Sequence, residues 1–215
     1  RESFAAFLEE AAKALGHIGI LINNAGIMPA GAFHLMDPAL DDAQIDINFR
    51  GVVHGCRAVL PGMLERGGGH IVNVASLAGR FALPALATYC GTKHAVVGLT
   101  ESLASEYRGS GIKFSMIMPA KVRTELASGT EKADKGLPAA DPEEVAEIIV
   151  ATLLKPKLFV AVPQYMETMT GIFRLLPESW SNSIRRAMRD DRLLKRVDLD
   201  KRAAYDQRLQ KLTGT

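Results

Sequence analysis

Several shortages in this sequence close off classes of function. It has two cysteines, Cys56 and Cys90, far apart and without metal-type spacing. That excludes a disulfide framework and a Cys-x-x-Cys zinc site, and it points to free thiols in a reducing compartment. His17, His34, His54 and His70 are scattered and form no metal set. No apolar run reaches the ~18 residues of a membrane-spanning helix. Excess charge is lacking too: a net +2 is too small to mark a nucleic-acid binder. The amino-terminal stretch RESFAAFLEEAAKAL has neither a starting Met nor the apolar centre of a signal peptide, and it reads as a helix met in mid-chain.

What is present is an ordinary globular composition over 215 residues, enough for a single domain with a sizeable core. The charge is uneven. Residues 181–215 hold ten Lys/Arg against five Asp/Glu. That segment reads as a solvated basic helix or tail over 190–215, with a membrane surface as the second use.

Hydrophobic spacing organises the rest. Phe4, Phe7, Leu8, Ala11, Ala12 and Leu15 form a helical stripe over 2–15, with Ser3 as cap and Gly16 as stop. Ile18–Ile22 is a short apolar strand followed by the sharp turn NNAG. A long helix is expected over 41–64, a strand at Ile71–Ala75, a helix from Tyr89 to Tyr107, and a strand at Ile112–Met118. A twenty-residue loop over 120–139 follows. Asp141 then caps a helix from Pro142 to Leu154, and Leu158–Val162 is the last strand. Alternating helices and strands predict an α/β fold: a Rossmann-like, doubly wound parallel sheet in three layers. No repeat and no second domain is visible.

In such sheets ligands bind at the carboxyl ends of the strands. Ser76 ends the strand IVNVAS. Tyr89 and Lys93 stand four apart and so share one helix face. An ammonium beside a phenol favours phenolate, which makes a tyrosine usable as an acid or base. Tyr-x-x-x-Lys alone is common in helices. Joined with Ser76, Asn48 and the NNAG turn, it reads as a site. A serine hydrolase using Ser76 is the rival, but no G-x-S-x-G elbow is present, and His94 is turned off the Tyr89 face. Cys90 reads as a packed thiol.

The NNAG turn at 23–26, Asn48 in NFRG, IVNVAS, Tyr89-Cys-Gly-Thr-Lys93 and MPAKVRTEL at 118–126 together resemble the short-chain dehydrogenase/reductase family over about residues 1–162. The resemblance implies an oxidoreductase that moves a hydride between NAD or NADP and an alcohol or carbonyl. It implies Tyr89 as acid/base, Lys93 as the group that lowers its pKa and binds the nicotinamide ribose, Ser76 as the partner of the substrate oxygen, and Asn48 as holder of a relay water. Asn23, Ala25 and Gly26 would border the adenosine ribose and diphosphate. Pro119, Val122 and Thr124 would lie at the nicotinamide. A homodimer or homotetramer through the helices 41–64 and 89–107 is implied as well.

The loops offer an apolar wall for a bulky alcohol or ketone of steroid, retinoid or lipid type: Leu77, Phe81, Leu83, Met166 and Phe173, with 163–189 as a substrate lid. The family's glycine-rich turn T-G-x-x-x-G-x-G does not occur here, nor does the residue that selects NAD or NADP. An amino-terminally truncated member of the family is therefore expected. Ala120 also stands where glycine is usual. A non-catalytic protein that keeps the fold without the cofactor is the alternative reading. The expected location is cytoplasmic, with a peripheral membrane position as the second.

Overall fold

A computed structural model describes residues 2–130, 139–175, 194 and 197–213. Helix α1 (Glu2–Leu15) ends at Gly16, which takes φ +86° and returns its N–H to Ala12 O. Ser3 lies inside the first turn rather than capping it. Strand β1 (Ile20–Asn23) leads through the NNAG turn to α2 (Pro38–Ile45), which Asp37 caps by accepting from Ala39 N–H. The expected helix over 41–64 begins earlier and holds one π turn, Asp46–Arg50, between α2 and α3 (Gly51–Glu65). Such turns insert a residue and re-aim the side chains around them. Asn48 sits in the middle of this one.

Next come β2 (Gly69–Val74), α4 (Ala87–Glu106) and β3 (Ile112–Pro119). The segment expected as one long loop has a base: β4 (Lys121–Val122) pairs with β5 (Ala139–Ala140). Beside it Arg123 grips Asp141 with two hydrogen bonds, at 2.6 and 3.0 Å. That pairing corrects the expected cap of α5 (Pro142–Leu154). Asp141 holds the N-cap position but makes no side-chain cap bond, because its carboxylate takes the bidentate, charge-assisted partner instead. Strand β6 (Phe159–Val162) and helices α6 (Met166–Leu175) and α7 (Leu199–Thr213) complete the described chain.

The main sheet is parallel, in the order β1-β2-β3-β6. The four expected strands all form, with ends shifted by up to two residues. Register pairs Asn23 with Asn73 and Asn73 with Met116, so the carboxyl ends of β1, β2 and β3 lie level. That alignment brings the NNAG turn, Ser76 and Pro119 to one edge. Ile71, Met116, Ile117 and Met118 of the central strands are fully buried, as parallel strands covered on both faces should be. β1 differs. Leu21 and Asn23 pack toward α1 and α3, while Ile20 and Ile22 are 51% and 41% exposed.

The described part of the carboxy-terminal segment, α7, is a helix as its pattern suggested and is exposed along most of its length, but one face is buried. Tyr205 and Leu209 of α7 pack with Ile27, Leu40, Ala43 and Ile47, and Arg202 is fully buried. The part of the expected lid beyond residue 175 lies outside the described residues.

The alternation in β1 has a measurable consequence. Leu21→Ala is expected to cost about 2–4 kcal/mol by urea unfolding. Ile22→Thr, on the open face, is expected to stay within about 1 kcal/mol of the parent. Equal losses at the two positions would contradict the one-sided burial of this strand.

Candidate active site

Beyond β2 the chain turns at Ser76 into a short 3-10 turn, Leu77–Gly79. The Ser76 hydroxyl accepts from Ala78 N–H at 3.1 Å and donates to Pro119 O at 3.3 Å. It is thus held between the ends of β2 and β3. Helix α4 lies directly against this turn, and Gly79 permits the approach. A Cβ there would stand 2.7 Å from Lys93 O and 3.0 Å from Val97 Cγ2. The approach brings Tyr89 to Ser76, with which its phenol shares a hydrogen bond. Lys93, one helical turn on, places Nζ 5.7 Å from the centre of the Tyr89 ring and donates to Val74 O at 3.0 Å. Ser76, Tyr89 and Lys93 are all buried.

Burial dominates the electrostatics. It pushes the Tyr89 phenol up to about 12, while the Ser76 hydrogen bond works against it and neighbouring Cys90 and Tyr205 add to it. The same desolvation brings the Lys93 ammonium down to about 8. The expectation that Lys93 lowers the phenol's pKa is therefore corrected. The ammonium lies over the face of the ring and is tied to Val74 O, and desolvation of the phenol outweighs it.

Asn48 binds the neighbouring loop with its whole carboxamide. Oδ1 accepts from Ile27 N–H at 2.8 Å, and Nδ2 donates to Ile27 O at 2.8 Å and to Thr92 Oγ1 at 3.2 Å. Thr92 in turn donates to Tyr89 O at 2.8 Å. Gly26 sits where these meet: a Cβ there would lie 3.3 Å from Asn48 Oδ1 and 3.6 Å from Lys93 Nζ. Ala25 is exposed beside it.

Other expected residues fall differently. Asn23 was expected at the ribose, but its Nδ2 donates to Asn73 Oδ1 at 2.8 Å, and Asn73 donates on to Thr100 Oγ1 at 2.9 Å. Its carboxamide belongs to the sheet interior. Val122, half-buried on β4, and Thr124, exposed, follow Pro119 at the same edge. Leu83 joins Met28, Leu86, Tyr89 and Cys90 in an apolar cluster around the phenol. Leu77 is buried in the main core, with Phe81 and Met166 packed against it, so Leu77 is corrected from wall to core. The Phe173 side chain lies outside the described residues.

Thr92 was readable in principle, as a hydroxyl at i+3 from Tyr89 able to bond back to the helix. Gly79, Asn73, Arg202 and Tyr205 carry no comparable local signal.

A nicotinamide cofactor passes a test of fit on this geometry. Among the described residues Lys93 uses one of its three N–H groups, on Val74 O, and keeps two donors suited to a ribose diol. Gly26 places the NNAG backbone beside Lys93 Nζ and close against Asn48 Oδ1.

A serine, a buried tyrosine and a lysine thus converge at the carboxyl edge of the parallel sheet of a Rossmann-like fold. Residues 1–135 match the short chain dehydrogenase family. The chain belongs to that family, whose members act on CH–OH groups with NAD or NADP. It is 35% identical over 178 residues to an uncharacterized oxidoreductase of Staphylococcus saprophyticus, covering 82% of this chain and 72% of that protein. It is 42% identical over 144 residues to the oxidoreductase UcpA of Escherichia coli K12, covering 66% and 54%. Epidermal retinol dehydrogenase 2 of Mus musculus is 30% identical over 181 residues, covering 82% and 59%. Among solved structures, a gluconate 5-dehydrogenase from Burkholderia cenocepacia in complex with NADP and tartrate superposes with a TM-score of 0.66 at 26% identity, covering 73% of this chain and 68% of that one. The chain spans from about half to 72% of the length of these curated relatives.

Two measurements test the site's construction. Gly79→Ala is expected to cost about 1–3 kcal/mol, since its Cβ meets the α4 backbone. Gly91→Ala, with open space at its Cβ, is expected to gain up to about 1 kcal/mol. A harmless Gly79→Ala would show that α4 can back away.

Lys93 makes a pH-dependent contribution whose sign follows from its depressed pKa. Between about 8 and 10.5 the unfolded chain binds the proton and the folded chain does not, so stability rises with pH. Tyr89 and Cys56, pushed up to about 12 and about 11, act oppositely above their ordinary values. The stability difference between parent and Lys93→Met should therefore move in the parent's favour by up to about 1.4 kcal/mol per pH unit across that window. A pH-independent difference would contradict a buried, deprotonating lysine.

Proposed function

We propose that this chain carries the proton-transfer site of an NAD(P)-dependent oxidoreductase that interconverts a hydroxyl and a carbonyl on a bulky apolar substrate. The observation that carries the reading is the meeting of the Ser76 hydroxyl and the Tyr89 phenol, backed by Lys93, at the end of β2. A nicotinamide cofactor, when bound, supplies or accepts the hydride. Lys93 would hold its ribose, Gly26 would give backbone access, and Val122 and Thr124 would flank the nicotinamide.

The protein's own part is position and a proton. Tyr89 Oη exchanges its proton with the substrate oxygen, and Ser76 Oγ holds that oxygen in place. A phenol pushed up to about 12 is fully protonated at neutral pH, which suits carbonyl reduction. Alcohol oxidation needs the phenolate, so its rate climbs with pH. Asn48 keeps the NNAG loop and the Tyr89 turn in register, and its backbone is the candidate holder of a relay water.

The apolar cluster around Tyr89, including Met28, Leu83 and Leu86, supports an apolar substrate. The similarity to a retinol dehydrogenase supports the same class. The resemblance to a gluconate dehydrogenase favours a second reading, a polar polyol substrate. Self-association through α3 and α4 is part of the reading, and sedimentation would test it. No described helix is long and apolar enough to cross a membrane.

Tyr89→Phe is expected to lower kcat/KM by about 10²–10⁴ for a retinoid or steroid alcohol, with Ser76→Ala also impaired. Oxidation by the parent should accelerate from pH 7 to 10 while reduction stays nearly flat around neutrality. Full activity in Tyr89→Phe would overturn the mechanism. Preference for gluconate over apolar alcohols would overturn the substrate class. Absence of NADH and NADPH binding by fluorescence titration would favour a non-catalytic protein.

A further inference from the structure

Helix α7 brings a fully buried guanidinium to the site from far along the chain. Arg202 Nη2 donates to Met28 O in the loop after β1. Nη1 donates to Ser128 O at 3.1 Å and to Leu126 O at 3.4 Å in the segment after β4. Nε lies 3.3 Å from Asp206 Oδ1, and the guanidinium carbon lies 4.9 Å from the centre of the Tyr205 ring. A buried cation is costly unless its donors are satisfied. Here Nη1 and Nη2 are satisfied by backbone carbonyls of two loops, while Nε makes no hydrogen bond among the described residues and meets only the Asp206 carboxylate as an ion pair.

Tyr205 reinforces the first of these attachments. Its phenol oxygen accepts from Met28 N–H at 2.8 Å, so both backbone groups of Met28 end on α7. Tyr205 also stands near enough to Tyr89 to raise that phenol's pKa. The second attachment is built as closely. Ser128 Oγ donates to Lys201 O at 2.9 Å, and Asp198 N–H donates to Gly129 O at 2.8 Å. Gly129 takes φ +78°, and a Cβ there would stand 2.5 Å from Asp198 O. Arg208 pairs with Glu125 further along the helix.

We propose that Arg202 is a positioning residue of the active site, a fork on α7 that sets the spacing between the loop carrying Gly26 and the segment carrying Val122 and Thr124. Tyr205 is its second tine. A planar guanidinium can bridge acceptors on two loops at once, which a lysine ammonium on a flexible stem cannot reproduce. The functional half of this assignment rests on the oxidoreductase reading, because those two segments are the ones expected to flank the nicotinamide. The structural half does not.

Amide hydrogen exchange on the full chain tests it without turnover. Arg202→Met should raise exchange about tenfold in both 24–28 and 126–130, leaving β2 and β3 unchanged. Tyr205→Phe, which keeps the ring, should raise exchange at Met28 by a similar factor and leave 126–130 unaffected. Uniform loosening through β2 and β3, or release of neither loop, would reduce Arg202 to a core support and overturn the proposal. If Arg202→Met does not fold, an unchanged Met28 amide in Tyr205→Phe overturns it alone. In turnover, Arg202→Lys should raise the KM for NADH or NADPH about tenfold with kcat within about threefold. A fall in kcat with KM unchanged would overturn the positioning role. Loop release with an inactive parent would leave the fork standing and sink the oxidoreductase reading.

Discussion

The Asn48 carboxamide is the joint on which the site depends. Its oxygen and nitrogen hold both backbone groups of Ile27, and its second N–H reaches Thr92 on α4. Three segments with no sequence proximity are fixed by one side chain: the loop after β1, the π turn, and the helix that carries Tyr89 and Lys93. The π turn aims Asn48 inward by breaking the helical period at that position. A buried amide with both ends satisfied leaves little freedom, because any shift of one segment strands a polar atom in a dry interior.

Packing around this joint decides the electrostatics. Gly79 lets α4 press against the turn after Ser76, and Gly26 admits the NNAG backbone to within reach of Asn48 and Lys93. The closeness that assembles Ser76, Tyr89 and Lys93 also removes water from them. Desolvation then moves the phenol up and the ammonium down, each toward its neutral form. A lysine four residues from a tyrosine implies a charge effect only if the ammonium is charged and near the oxygen. Here it is held by Val74 O, and burial opposes its charge.

Much of the fold was legible because parallel strands buried on both faces are written as short continuous apolar runs, and crossover helices as stripes. All four sheet strands were readable in this way. Polar groups at strand ends were readable as well, since topology alone sends Ser76 and the NNAG turn to one edge. Local reasoning failed where two local options competed. Asp141 could cap α5 or pair with Arg123, and the bidentate ion pair won. Asn23 could face a ligand or the sheet, and register set it opposite Asn73.

By itself the sequence determined the α/β class, the strands, and the identity of the groups able to move a proton: Ser76, Tyr89 and Lys93. These follow from periodicity and side-chain chemistry, which are local. Only the tertiary structure decided the direction of the pKa shifts, the role of Asn48 as a joint, and the burial of one face of α7, through Arg202, Tyr205 and Leu209, in a segment that reads as solvated. Burial and partnership between residues such as Met28 and Arg202 are properties of the packed chain, and no spacing along the sequence encodes them.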